Sequence, residues 1–259
     1  MLHKDIPHES DATRVHLGTA GWNIRREHAG KFLPIGTHLE RYAALFNAVE
    51  INSCFYRPHR FATYERWAAS VPSQFRFAVK LPKAITHESR LVDSTSLVER
   101  FLEESAGLGL KRGPVLIQLP PSLEFDPVVA VPFFTEFRHR FDGSVVFEPR
   151  HPSWFSSEVE SLLIDCRIAR VAADPPRVPE AGQPAGYDRV VYFRLHGAPR
   201  VYYSAYSAEE LDRVTEILRQ RSKQGASTWC IFDNTALGAA TTDALAVKSR
   251  LLEGRAATV

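Results

Sequence analysis

The chain reads as a single-domain (β/α)8 barrel, and three observations predict it. Eight apolar runs of strand length follow one another, most of them trailed by a loop and a segment of helical period. Polar residues gather at the C-terminal ends of those runs, the end where barrels carry their sites. The length of 259 residues is close to the roughly 250 typical of that fold. The sequence of residues 145–154, VVFEPRHPSW, shows the pattern most clearly: a β-branched run ends in Glu148, Pro149, Arg150 and His151 and then meets a helix start.

In order, residues 1–14 contain no apolar run and are expected to be an N-terminal tail, with the barrel domain over 15–259. Strand one, Val15 to Gly18, runs into a Thr19-Ala20-Gly21-Trp22 turn. Thr37 is placed to cap a helix over about 39–46, with Leu39, Tyr42, Leu45 and Phe46 at helical spacing. Strand two is 48–52, followed by a helix over 61–69. Strand three, 75–81, stops at Pro82, and a helix over 96–107 follows a loop holding Thr86 and His87. Strand four is 114–119; Pro120-Pro121 cannot extend its ladder. A helix over 128–141 leads to strand five, and one over 157–164 to strand six at 168–174. Residues 175–188 carry four prolines and no helical period, which predicts a long irregular loop, a candidate lid, in place of helix six. Strand seven is 190–195, helix seven 208–223, strand eight 228–233 and helix eight 242–252. An open doubly wound sheet is the rival, but Gly18-Thr19-Ala20-Gly21-Trp22 is not the glycine pattern of a dinucleotide turn.

Apolar residues make up 44% and charged residues 24%, near globular averages, so a large core is available. A formal net charge of +2 gives no general field for nucleic acid, leaving such a role to local arginines. Cys54, Cys166 and Cys230 are an odd set without CxxC spacing, which argues against a disulfide framework and fits a reducing, cytoplasmic location. No window approaches a membrane span.

Residues i and i+2 of a strand share a face. Glu50 with Asn52, Glu148 with Arg150, and Arg194 with His196 are polar pairs at that spacing near strand ends. Lys80, Gln118, Asp174 and Asn234 close other strands, each taken to face inward with the residue two before it. Each alone reads equally well as an ordinary strand end or a structural ion pair. Gathered in one mouth, so many charges demand several kcal/mol of compensation per ion, roughly, which aliphatic residues would avoid. The convergence therefore predicts a pocket. Cys54 is read as a small buried hydrophobe rather than a nucleophile.

The segments GTAGW, VEINSCFYR, FAVKLP, GPVLIQLPP, FEPRHPSW, YFRLHG and FDN together resemble the YecE-like family, domain of unknown function seventy-two. They fall in order across nearly the whole chain. The resemblance implies a TIM barrel with these motifs at its strand ends and no established reaction. The chain departs from the family pattern over 23–31, which lacks a tryptophan before Gly30, and at Phe232-Asp233-Asn234, which replaces a Phe-Asn-Asn.

The expected function is acid–base enzymology on a small anionic substrate, a carboxylate or phosphate, bound at the mouth. Glu50, Lys80, Glu148 and His196 are the expected catalytic groups. Asn52, Tyr56, His87, Gln118, Arg150, Trp154, Asp174, Arg194 and Asn234 are expected to bind substrate, with Trp22 as a further wall. Two alternatives stand beside it. One is metal-assisted phosphoester hydrolysis, with a divalent ion on Glu50, Glu148, Asp174 and His196; the other is a non-catalytic binding barrel, whose contact patch could include Tyr202, Tyr203 and Tyr206. No cofactor is demanded by the residues.

Overall fold

The computed structural model describes residues 15–256; the expected tail over 1–14 lies outside them. Among the described residues, ten strands and eight α-helices alternate for the most part. The strands are β1 (Val15–Thr19), β2 (Ala48–Ile51), β3 (Arg76–Lys80), β4 (Arg112–Gln118), β5 (Val145–Glu148), β6 (Ile168–Arg170), β7 (Ala172–Asp174), β8 (Ala185–Gly186), β9 (Val190–Leu195) and β10 (Ser227–Phe232). The helices are α1 (His38–Ala43), α2 (Ser53–Tyr56), α3 (Phe61–Ala69), α4 (Thr95–Ser105), α5 (Pro127–Arg140), α6 (Ser157–Asp165), α7 (Ala208–Lys223) and α8 (Ala239–Ala256). The starts of α1 and α7 follow from their caps: Thr37 with Glu40, and Ser207 with Glu210, form reciprocal capping boxes.

This is one mixed α/β domain built on two sheets. The first has the order β1-β10-β9-β7, and the second β2-β3-β4-β5-β6-β8. Every pairing is parallel except β6 with β8. The expected strand six is divided: β6 pairs with β5 in one sheet and β7 with β9 in the other, and Val171 between them donates its N–H to the Phe147 carbonyl. At the other side, Ala20 and Glu50 form a lone parallel bridge.

Beside that bridge, side chains do the work of a ladder. Asn47 accepts from Leu17 N–H (2.8 Å) and donates to the Val15 carbonyl (2.9 Å). The Tyr42 hydroxyl accepts from Thr19 N–H (2.8 Å) and donates to the Ala48 carbonyl (3.1 Å). Gly18 is required at this seam, because a Cβ there would stand 2.0 Å from the Ala48 carbonyl oxygen. These bonds satisfy the β1 backbone groups that face β2.

Two apolar clusters result. The larger lies between strands and helices and takes in Phe77, Val79, Ile117, Phe147, Phe193 and Phe232. The smaller is built from alternate residues of both sheets, among them Ala48, Ala78, Leu116, Val146, Tyr192 and Ile231. Strands buried on both faces explain why these segments read as continuous apolar runs. The loop after β7 is more ordered than expected: a 3-10 turn over Pro179–Gly182 precedes β8, and no α-helix forms between Asp174 and Val190. No helix among the described residues is long and apolar enough to cross a membrane.

Candidate functional site

The smaller cluster sets the phase of the site. Two residues beyond Ala48, Ala78, Leu116, Val146, Tyr192 and Ile231 stand Glu50, Lys80, Gln118, Glu148, Arg194 and Asp233. All six are buried, so the polar tips of both sheets meet above one apolar floor.

Arg194, fully buried, is the hub. Its Nε and Nη2 grip both oxygens of Glu50 at 3.0 and 2.7 Å, its Nη1 reaches Glu148 Oε2 at 2.6 Å, and Nη2 reaches Asp233 Oδ2 at 2.9 Å. Tyr192 donates a further bond to Glu50 Oε2 at 2.9 Å. A planar guanidinium suits this task because its fork serves several carboxylate oxygens at once.

Around the hub the groups are less complete. Arg150 donates to Glu148 Oε1 at 3.0 Å and to the Tyr202 hydroxyl at 3.3 Å. His196 Nδ1 lies 3.1 Å from Asp233 Oδ2. Its Nε2 lies 3.3 Å from Glu148 Oε1, an ion pair when the imidazole is protonated. Gln118 Nε2 and Asn52 Oδ1 are buried and unpartnered. Lys80, also buried, holds its Nζ 4.2 Å above the Phe55 ring. No carboxylate among the described residues comes within 4 Å of it.

These surroundings pull the titrating groups apart. Burial would raise the Glu148 carboxyl, but Arg194, Arg150 and His196 hold it well below the usual carboxylate range. Asp233 is lowered against burial chiefly by Arg194. Burial would lower His196, yet Glu148 and Asp233 outweigh it and raise the imidazole above its ordinary value. Lys80 moves the other way: burial and then Arg194 push its amine down to about 8, over the opposing pull of Glu50, Glu148 and Asp233. With His196 and Lys80 both protonated, the four cations Arg150, Arg194, His196 and Lys80 face three carboxylates, one charge in excess.

A cavity of about 540 Å³ opens here, walled by Glu148, Arg150, His196, Tyr202 and, from the loop after β7, Pro175 and Arg177. His87 lies near the rim, half-buried, with its ring edge-on to Phe55 at 4.9 Å. Burial lowers its pKa, with help from Lys80 and Arg150.

Several expected residues stand elsewhere. Asp174 is out of phase: Ala173 lines the cavity, and Asp174 instead accepts from the Tyr206 hydroxyl at 3.0 Å. Asn234 is out of phase for the same reason, donating to Ser204 O and to Asp243 on α8. Trp154 is core, packed on Phe125, Phe134 and Phe147 with its indole N–H on the Leu123 carbonyl. Tyr56 is exposed and touches Phe55, and Trp22 packs edge-on against Trp67 of α3. Tyr206 is buried beside Phe232, whereas Tyr203 is stacked on Arg200. Cys54 gives its thiol to the Ile51 and Lys80 carbonyls, and burial pushes it up to about 12, the behaviour of a buried structural thiol. The four ligands of the metal alternative do not converge, because Asp174 belongs to the Tyr206 network; the described residues offer no group of three His, Cys, Asp or Glu poised around a metal.

Asp233 and Arg177 belong to the site and are absent from the expected site residues, and Tyr202, expected only in the contact patch of a binding barrel, lines the cavity. For Asp233 a signal existed, since it is the acidic residue by which FDN departs from Phe-Asn-Asn.

Comparison with known proteins agrees with the motif pattern. The chain is 31% identical to the UPF0759 protein YecE of Escherichia coli over 154 residues, 58% of this chain and 54% of that protein, so the match spans about half the length of that relative. It is 23% identical to the UPF0759 protein YunF of Bacillus subtilis over 257 residues, covering 86% of this chain and 90% of that one. Among solved structures it resembles a DUF72 family protein from Thermotoga maritima, with a TM-score of 0.77 and 25% identity over 92% of this chain and 99% of the other. A DUF72 family protein from Enterococcus faecalis shares the fold with a TM-score of 0.76 and 22% identity, over 92% and 95% of the two chains. The sequence matches "Protein of unknown function DUF72" across residues 16–258, and the chain therefore belongs to the DUF72 family.

Proposed function

We propose that the two sheets are halves of one closed (β/α)8 barrel whose mouth binds a small anionic substrate and acts on it by proton transfer. Closure is supported by the continuity of β6 into β7, by the Asn47 and Tyr42 stitches between β1 and β2, and by the apolar floor both sheets share. A mouth built from strand C-termini is where such barrels carry chemistry.

Within that mouth Arg194 is a scaffold rather than a ligand for substrate, since carboxylates already occupy it. Arg150 and the exposed Arg177 line the cavity and are the anion-binding forks. His196, oriented through Nδ1 by Asp233, is the general acid, with Nε2 as the donor. Glu148, held ionised by three cations, is a weak base and serves to keep His196 protonated. His196, raised above its ordinary value, keeps its proton to give as the acid, and Lys80, lowered to about 8, can shed its own and serve as the base.

One observation carries this reading: a buried imidazole, oriented through Nδ1 by Asp233 and ion-paired through Nε2 to Glu148 at 3.3 Å, stands in the wall of a cavity edged by two arginines. The test is thermal unfolding with inorganic phosphate or malonate. Stabilisation of the wild type at millimolar anion, weakened about tenfold in apparent affinity by Arg150→Ala, is the expected result. No shift with either anion, or an equal shift in the variant, contradicts it.

A further inference from the structure

Lys80 is a buried cation without a counter-ion, in a mouth that holds three carboxylates. Glu50 spends both oxygens on Arg194, and Glu148 and Asp233 are bonded to Arg194 as well. A structural lysine in such a place would be expected to pair, because burying an unpaired ammonium is costly. Lys80 instead lies over the Phe55 ring. Two side chains on the neighbouring strands' C-terminal ends carry buried, unsatisfied atoms. Leu116 is the register partner of Lys80, and Gln118 follows it on the same face with a buried, unpartnered Nε2. Glu50 is the register partner of Ala78, and Asn52, two residues on, carries an unpartnered Oδ1.

A buried amine whose neighbouring strands end in an open amide donor and an open amide acceptor offers the groups that receive a carbonyl. The geometry points to Lys80 as the nucleophile that condenses with an aldehyde or ketone carrying a carboxylate or phosphate. The inference rests on the anion-binding reading above, with Arg150 and Arg177 holding the charged end of the substrate.

The step balances without an added reagent. The neutral Lys80 Nζ attacks the carbonyl carbon, forming a C–N bond, while the C=O π pair moves to oxygen. Proton transfer from nitrogen to that oxygen gives a carbinolamine. Gln118 Nε2 donates a hydrogen bond to the oxygen as it gains charge. The carbinolamine hydroxyl then takes the His196 proton and leaves as water, so a protonated imine on Lys80 and a neutral His196 remain. An amine pushed down to about 8 has an appreciable neutral fraction near pH 7.5. Desolvation and a neighbouring cation are the two devices by which lysines become nucleophiles of this kind.

The experiment is reductive trapping of the full-length protein. It is incubated with pyruvate, with dihydroxyacetone phosphate or with the uncharged hydroxyacetone, reduced with borohydride, and mapped by peptide mass. The expected result is one reduced adduct on the Lys80 peptide with a charged probe, formed at least tenfold faster than with hydroxyacetone. It should be absent from Lys80→Arg, and the half-buried Lys83 and the exposed Lys223 should stay unmodified. Adduct from pyruvate alone assigns a 2-oxo acid, and from the phosphate alone a phosphorylated carbonyl. No adduct at Lys80 with either charged probe, or labelling no faster than at Lys83, overturns the inference. If phosphate still stabilises the protein in that case, the anion site stands and only the imine falls.

Discussion

Arg194 and Lys80 are two buried cations in the same mouth, and their surroundings are opposite. Arg194 is bonded to three carboxylates and sits where its side chain has no exposure; Lys80 has an aromatic ring and no carboxylate within ion-pair distance. The difference separates framework from function. A charge whose three guanidinium nitrogens are all bonded fixes the positions of Glu50, Glu148 and Asp233 and has little left to offer a ligand. A charge left unmatched lowers stability and is retained for another reason.

The first way to break the comparison is to remove the framework cation. Arg194→Met leaves three buried carboxylates without their common partner, and loss of about 3–5 kcal/mol is expected in urea unfolding. A loss below roughly 1 kcal/mol would mean that the carboxylates are solvated and that Arg194 is not the hub.

Removing the other cation should do the reverse. The ammonium of Lys80 is less comfortable folded than unfolded, so Lys80→Met is expected to raise stability at pH 7 by up to about 3 kcal/mol. The pH dependence has a definite sign. A lysine lowered to about 8 when folded binds fewer protons than its unfolded counterpart between pH 8 and about 10.5. Wild-type stability should therefore gain relative to Lys80→Met as pH rises through that window. A destabilised variant would show that Lys80 is a counter-ion after all.

The smallest effect sharpens the boundary between the two regions. Glu148 is bonded to Arg194 on one oxygen and faces Arg150 and His196 with the other. Glu148→Gln should lower the His196 pKa, read from its imidazole proton shifts in NMR titration. An unchanged value would assign the raised pKa to Asp233 alone.

How much of this was legible in the sequence depends on one physical property, the phase of each strand. Glu50, Lys80, Glu148 and Arg194 are single charges in apolar runs, and a charge shows which side of a strand is the exceptional one. Strand eight, TWCIFD, and the end of strand six, VAAD, are apolar on both faces up to a final Asp, and a charge at the last position reads as the start of the loop, so neither marks its phase. Asn234 was therefore expected to face inward where Asp233 does, and Asp174 where Ala173 does. Aromatics were harder still: Trp154 in a loop motif gives no sign that it turns into the core, and Tyr56, one residue past the buried Phe55, none that it stays in solvent. The division of strand six at Val171 and the Asn47 and Tyr42 stitches are long-range pairings, which no local pattern encodes.

The most direct test of the contrast between the two cations is the titration of Lys80 itself. In wild-type protein reductively methylated with carbon-13 and assigned by comparison with Lys80→Arg, the Lys80 dimethylamine resonance should titrate well below those of the surface lysines, near pH 8. A midpoint among the surface lysines, near the ordinary lysine value of about 10.4, would show a satisfied cation and contradict the account.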